Sequence, residues 1–282
     1  MLRRIWSLLR ATIMGYVEDE AMTRGAAIAF YTIFSLAPLL VIVTAIAGLA
    51  FGEQAAQGAV TEQLRTQMGE RGAHAVQMLV ESAANPRSGR IAALIGILTL
   101  LLTATAAFGE VQTALDVIWR APPAPGGTVM QLLRARLTAF TLLAVTGLLL
   151  LTSMVASTVL SAVGTWASHR LPRAELLMAL ANFGLSFLMV TALFAAIYKI
   201  LPHRRLAWRD VGVGALVTAF LFTVGKSLIG WYLGSSAVAN AYGAAGTLLV
   251  VLLWIYYSVQ IFLLGAEFTR AWAGLRPIEP SP

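Results

Sequence analysis

The chain of 282 residues has no cysteine, little charge and only three histidines. Without cysteine there can be no disulfide scaffold, thiolate metal site, iron–sulfur cluster or cysteine nucleophile. Charged residues make up 12% of the sequence, about half of the roughly 25% usual in a soluble domain. His74, His169 and His203 are far apart in sequence and outside the apolar runs. Neither a phosphate-cradling Gly-x-x-x-x-Gly-Lys-Ser/Thr nor a His-Glu-x-x-His or Gly-x-Ser-x-Gly motif occurs. The sequence therefore predicts no catalytic residues, no metal site and no cofactor, and it does not support ATP-driven transport by this chain alone. The first 25 residues lack a continuous apolar stretch and include Glu18-Asp19-Glu20, so no cleavable signal peptide is expected.

What the chain has in abundance is apolar length. Hydrophobic residues make up 59% of it, and the mean hydropathy is +0.78. Six apolar runs fall at 26–50, 91–113, 137–163, 176–201, 211–233 and 244–268. Each is near the roughly 20 residues that a helix rising 1.5 Å per residue needs to cross a hydrocarbon core. Three such runs could be the core of a soluble protein, but six leave too little polar surface. The expected fold is all-α: a polytopic membrane protein with six transmembrane helices and a single membrane domain over 26–270. A disordered cytoplasmic tail is expected over 271–282.

Two further segments are expected to be helical. Residues 1–25 read as an N-terminal interfacial segment. In it Leu2, Ile5, Trp6, Leu9, Ile13, Tyr16 and Val17 recur at helical spacing among Arg3, Arg4 and Arg10, as in a helix lying in the headgroup layer. The alternative is a disordered basic tail. The polar insertion 51–90, between spans one and two, carries Val60, Leu64, Met68, Val76, Leu79 and Val80 and predicts a periplasmic helix or helix pair. Asn85-Pro86-Arg87-Ser88-Gly89 reads as a turn, and the Pro- and Gly-rich segment 121–127 as a stiff connection.

The net charge of +7 is spread as a topology signal rather than a nucleic-acid patch, and no nucleic-acid partner is expected. With the N-terminus inside, inner segments hold 13 Lys and Arg and outer segments hold 6. Basic residues favour the cytoplasmic side, so both termini are predicted to be cytoplasmic. Arg24, Arg134, Arg136, Arg204 and Arg205 are the residues expected to set topology or touch headgroups.

Ionisable groups within spans are costly in lipid and need a reason. Lys226 lies in span five, Glu110 near the inner end of span two and Glu267 near the inner end of span six. Lys226 could snorkel past Trp231 and Tyr232, Glu267 could pair with Arg270 at i+3, and Glu110 could sit at the interface. The functional alternative places these residues, with Tyr31, Ser35 and Tyr256, along a substrate path. A direct Lys226–Glu267 pair is not expected between straight helices. Pro38 predicts a kink in span one, with Thr32 and Ser35 on the preceding turn. The glycines of spans five and six predict close helix packing.

Four stretches resemble one family. They are Arg24-Gly-Ala-Ala-Ile-Ala-Phe-Tyr-Thr-Ile-Phe-Ser-Leu-Ala-Pro-Leu-Leu40, Thr105 to Trp119 (TAAFGEVQTALDVIW), Leu201 to Arg209 (LPHRRLAWR), and Ala241 to Tyr257 continued by Leu264-Gly-Ala-Glu-Phe268. Together they look like the YihY/BrkB family, the UPF0761 membrane proteins, over residues 20 to 272 or so. Phe108 and Asp116 stand where relatives more often have a smaller residue and Asn. The resemblance implies a six-helix protein of the bacterial inner membrane, with names tied to virulence and an older ribonuclease BN label. That label conflicts with the lack of converging metal-binding carboxylates or imidazoles.

The leading expectation is thus a transporter or flippase-like carrier of a lipid or amphiphilic anion, in contact with membrane lipids and able to form a homo-oligomer. A non-transporting envelope scaffold or assembly factor is the alternative, and a membrane-associated hydrolase is less expected.

Overall fold

The computed structural model describes residues 2–83, 90–122, 152, 174–235 and 244–274, and every regular element among them is helical. In chain order these are α1 (Leu2–Glu18), α2 (Ala21–Phe51), α3 (Glu53–Ala83), α4 (Arg90–Ile118), α5 (Ala174–Ile200), α6 (Trp208–Ser235) and α7 (Ala244–Ala273). Helices α2, α4, α5, α6 and α7 coincide with five of the six apolar runs. The third run, 137–163, lies outside the described residues save for position 152, as do Arg134, Arg136, the turn at 85–89 and the tail beyond Gly274. Among the described residues, three segments are long and apolar enough to cross a membrane: Ala179–Ile200, Trp208–Tyr232 and Leu248–Ala273.

The helices outrun the apolar windows at their polar ends. α2 begins at Ala21, α4 continues to Ile118 and α7 to Ala273. A helix does not stop where hydrophobicity stops, because its backbone ladder is satisfied equally well in the headgroup layer. The chain turns where the ladder is broken by local chemistry. Between α1 and α2, Glu20 takes a left-handed conformation (φ 54°), and Arg24 Nε donates to the Asp19 carbonyl at 3.0 Å. Between α2 and α3 the connection is Gly52 alone, with φ 89°. A side chain at that φ would clash, so glycine permits the reversal, and its N–H donates to the Gly48 carbonyl at 2.9 Å. Over its described residues the polar insertion forms one helix, α3, packed against α2. α2 continues through Pro38 as a single helix.

The molecule divides into two compact units. One comprises Tyr16–Ala114 and Val224–Leu263. Its core joins Ala29 and Ile33 of α2, Ala75 and Val76 of α3, and Val251 and Ile255 of α7. The i, i+4 spacing of the α2 and α7 pairs gives each helix one inward stripe. Gly25 packs on Gln260, and Gly225 on Ile261 and Tyr257, at distances that leave no room for a Cβ.

The other unit comprises residues up to Gly15, Leu115–Thr223 and Leu264 onward. Its centre is Trp119, fully buried, whose Nε1–H donates to the Ala266 carbonyl at 3.1 Å. Tyr198 meets it edge-on, with centroids 5.5 Å apart. α6 and α7 interlock by a reciprocal motif. Gly214 faces Thr269, while Gly265 faces Thr218 and Tyr198. Both helices read Gly-Ala-x-x-Thr, at Gly214–Thr218 and Gly265–Thr269. Each threonine hydroxyl donates to the carbonyl of the glycine four residues before it, both at 2.7 Å. Each therefore enters the partner's glycine notch with its proton already placed, which suits an interface sealed from water. Gly212 and Gly230, by contrast, have open space where a Cβ would be.

Candidate functional site

The polar residues fall into two clusters, one in each unit, with different character. The first surrounds Glu267. Its side chain is fully buried, and Arg270 Nε donates to its Oε2 at 2.8 Å. Arg270 is itself only 15% exposed. A carboxylate taken out of water without a partner is expensive, and the arginine one turn on supplies that partner. Arg270 Nη2 also donates to the Ala11 carbonyl at 3.3 Å. Gly15 of α1 lies against both side chains, with no room for a Cβ. The pair is thus covered by the Ala11–Gly15 stretch of α1.

The same unit fixes the basic loop 201–207. His203 donates its backbone N–H to Asp116 Oδ1 at 2.8 Å, and its Nδ1 lies 2.6 Å from Asp116 Oδ2. A carboxylate only accepts, so Nδ1 carries the proton. Arg204 Nη1 donates to the Trp119 and Arg120 carbonyls at 3.0 and 3.2 Å. These lie at the end of α4, where Arg120 adopts φ 52° and Ala121 N–H closes back on the Asp116 carbonyl at 2.8 Å. Helix carbonyl ends lack partners and carry partial negative charge, so a guanidinium suits the position. Lys199 donates to the Leu206 carbonyl and stands 5.2 Å from the centroid of the exposed Trp208 ring. Of the basic loop residues, Arg204 thus holds structure together, whereas Arg205 is exposed.

The second cluster is looser. Arg24 Nη1 and Glu110 Oε1 are 4.0 Å apart, with side chains 25% and 29% exposed. Close by in sequence, Tyr16 donates its hydroxyl to Gln260 Oε1, and Gln260 Nε2 donates to the Met22 carbonyl at 3.3 Å. The Tyr16 phenol is pushed up to about 12, first by burial and then by Tyr256. A guanidinium at 4.0 Å from its partner and partly open can exchange that carboxylate for another anion, which the Arg270 guanidinium cannot do without exposing Glu267.

Of the other sequence candidates, Tyr256 stands by Tyr16 in the second cluster, and the rest are held locally. Ser35 is buried and donates to the Thr32 carbonyl at 3.0 Å. Tyr31 packs edge-on to Phe30, and Tyr256 lies against the α2–α3–α7 core. Lys226 is half-buried on α6. Gln260, His203, Trp119 and Thr218 were not among the candidates. Of these, Gln260 carried a readable signal, an amide within an otherwise apolar span. Among the described residues no three His, Asp or Glu side chains converge as a metal site would require.

Long apolar helices, joined by small-residue notches and internally paired polar groups, define a helical integral membrane protein. The comparisons with known proteins agree. The chain belongs to the family described as Virulence factor BrkB, which matches it over residues 12–279. A UPF0761 membrane protein of Alkalilimnicola ehrlichii is 28% identical over 259 residues, covering 91% of this chain and 56% of that protein. One from Halorhodospira halophila is 29% identical, covering 92% and 55%, and one from Aggregatibacter aphrophilus is 26% identical, covering 92% and 90%. The chain thus spans little more than half the length of the first two relatives. No solved structure matches it.

Proposed function

We propose that the protein is a flippase-like carrier of a lipid or other amphiphilic anion in the bacterial inner membrane. The observation that carries this reading is the Arg24–Glu110 pair, partly open and 4.0 Å apart. A weakly held guanidinium can bind a phosphate or carboxylate headgroup bidentately while the acyl part of the ligand stays in lipid. Glu110 then serves as the resting partner that the headgroup displaces. In this reading the chain crosses the membrane six times with both termini cytoplasmic, which the inner excess of arginine supports. It is a carrier and not an enzyme.

The test is transfer of a fluorescent phosphatidylglycerol across proteoliposomes, read by quenching of the outer leaflet. Arg24→Gln should slow transfer by about tenfold or more, the loss of one charged contact, and Arg24→Lys should restore part of it. Wild-type rates for Arg24→Gln, Glu110→Gln and Lys226→Ala, each folded, would sink the proposal.

The scaffold reading draws on α3, which presents Glu62, Glu70, His74, Gln77 and Met78 outward. Deleting 54–84 discriminates: loss of a partner with unchanged lipid transfer favours a scaffold.

A further inference from the structure

Helix α1 has three sides, and each matches a different medium. At about 100° per residue, Leu8, Thr12 and Gly15 share one sector, and it is the covered one: Thr12 and Gly15 are buried and Leu8 half-buried. Gly15 lies on Glu267 and Arg270 there. The next sector holds Ile5, Trp6, Leu9, Ile13 and Val17, all large and apolar and 47–71% exposed. The third holds Arg3, Ser7, Arg10, Met14 and Glu18, all exposed, so among the described residues Met14 is the one large apolar side chain outside the second sector's stripe and the docked sector. Before Glu18 the helix carries arginines and no acid.

Water would be a poor solvent for the second sector. Exposing five large side chains along one stripe makes a contiguous apolar patch of the kind soluble surfaces avoid. The docked sector fixes the rotation of the helix, so the apolar stripe and the basic stripe are held side by side. Arg3 and Arg10 lie on the edge between them.

We infer that α1 is an in-plane helix whose Ile5–Val17 face is seated in the acyl layer, with Arg3 and Arg10 on anionic phospholipid headgroups. The occupant is a negatively charged bilayer surface because the two charges that border the apolar stripe, Arg3 and Arg10, are both positive and complementary to it, with Glu18 on the far side of the polar sector. This inference is independent of the carrier reading, since it concerns neither Arg24 nor Glu110.

The absence of cysteine makes the test direct. Ile13→Cys and Ser7→Cys variants of the full chain, spin-labelled, are placed in nanodiscs of phosphatidylglycerol and phosphatidylcholine. The label at 13 should be open to oxygen and shielded from a nickel chelate, and the label at 7 should show the reverse. With a fluorophore at 13, brominated phosphatidylglycerol should quench more strongly than brominated phosphatidylcholine. Arg3→Gln with Arg10→Gln should erase that preference, each arginine accounting for about fivefold. Equal quenching by the two lipids in the unsubstituted background would overturn the anionic-surface assignment. Disulfide-linked dimers of the unlabelled Ile13→Cys variant, or a label at 13 shielded from both quenchers, would show that protein covers the face instead.

Discussion

Two ion pairs of similar composition behave differently in this molecule. Glu267–Arg270 is 2.8 Å long with side chains 0% and 15% exposed; Arg24–Glu110 is 4.0 Å long with both side chains over a fifth exposed. The first joins neighbouring turns of one helix and is covered by α1. The second joins two helices 86 positions apart in sequence. Burial and distance, not residue type, separate a closed pair from a partly open one. The comparison teaches that an intramembrane charge must be judged by how replaceable its partner is.

The largest effect should come from breaking the closed pair. Glu267→Ala leaves the Arg270 cation buried and should cost about 3–5 kcal/mol, read as a lowered thermal midpoint in detergent. If its cost were near zero, the contrast between the two pairs would fail. Next is the packing beside it. In Gly265→Val the new methyls fall on Thr218 and Tyr198, at about 1–3 kcal/mol; Gly230→Ala, with open space around it, serves as the neutral control. Arg204→Ala frees the Trp119 and Arg120 carbonyls and should lower stability by about 1–2 kcal/mol. Arg24→Gln sharpens the comparison from the other side: stability should change by no more than about 1 kcal/mol, while lipid transfer slows by about tenfold or more.

The smallest effect is alkaline. The Tyr16 phenol, at about 12 when folded against an ordinary 10.0, keeps its proton longer than the unfolded chain does. Its contribution is complete below about pH 10, and stability should fall as pH rises toward 12. Tyr16→Phe should remove that slope in an alkaline melting series.

Local sequence made part of this legible. Apolar run lengths announced the helices, and the spacing of Glu267 and Arg270 announced their pairing, because i, i+3 neighbours meet on any helix. Small residues announced close packing without saying which glycines meet which side chains. The repeated Gly-Ala-x-x-Thr was visible, but its reciprocity depends on how α6 and α7 are set against each other. Asp116 with His203, Arg204 with the end of α4, and Tyr16 with Gln260 were illegible, since their partners lie 84 to 244 positions apart.

The amino-acid order by itself determined the solvent and the helices, because hydrophobic length and backbone satisfaction are properties of each segment alone. Tertiary structure alone decided which charges are sealed, which are open, and which side of α1 is left uncovered. Those depend on where other helices remove water, and that is set by packing between segments far apart in the chain.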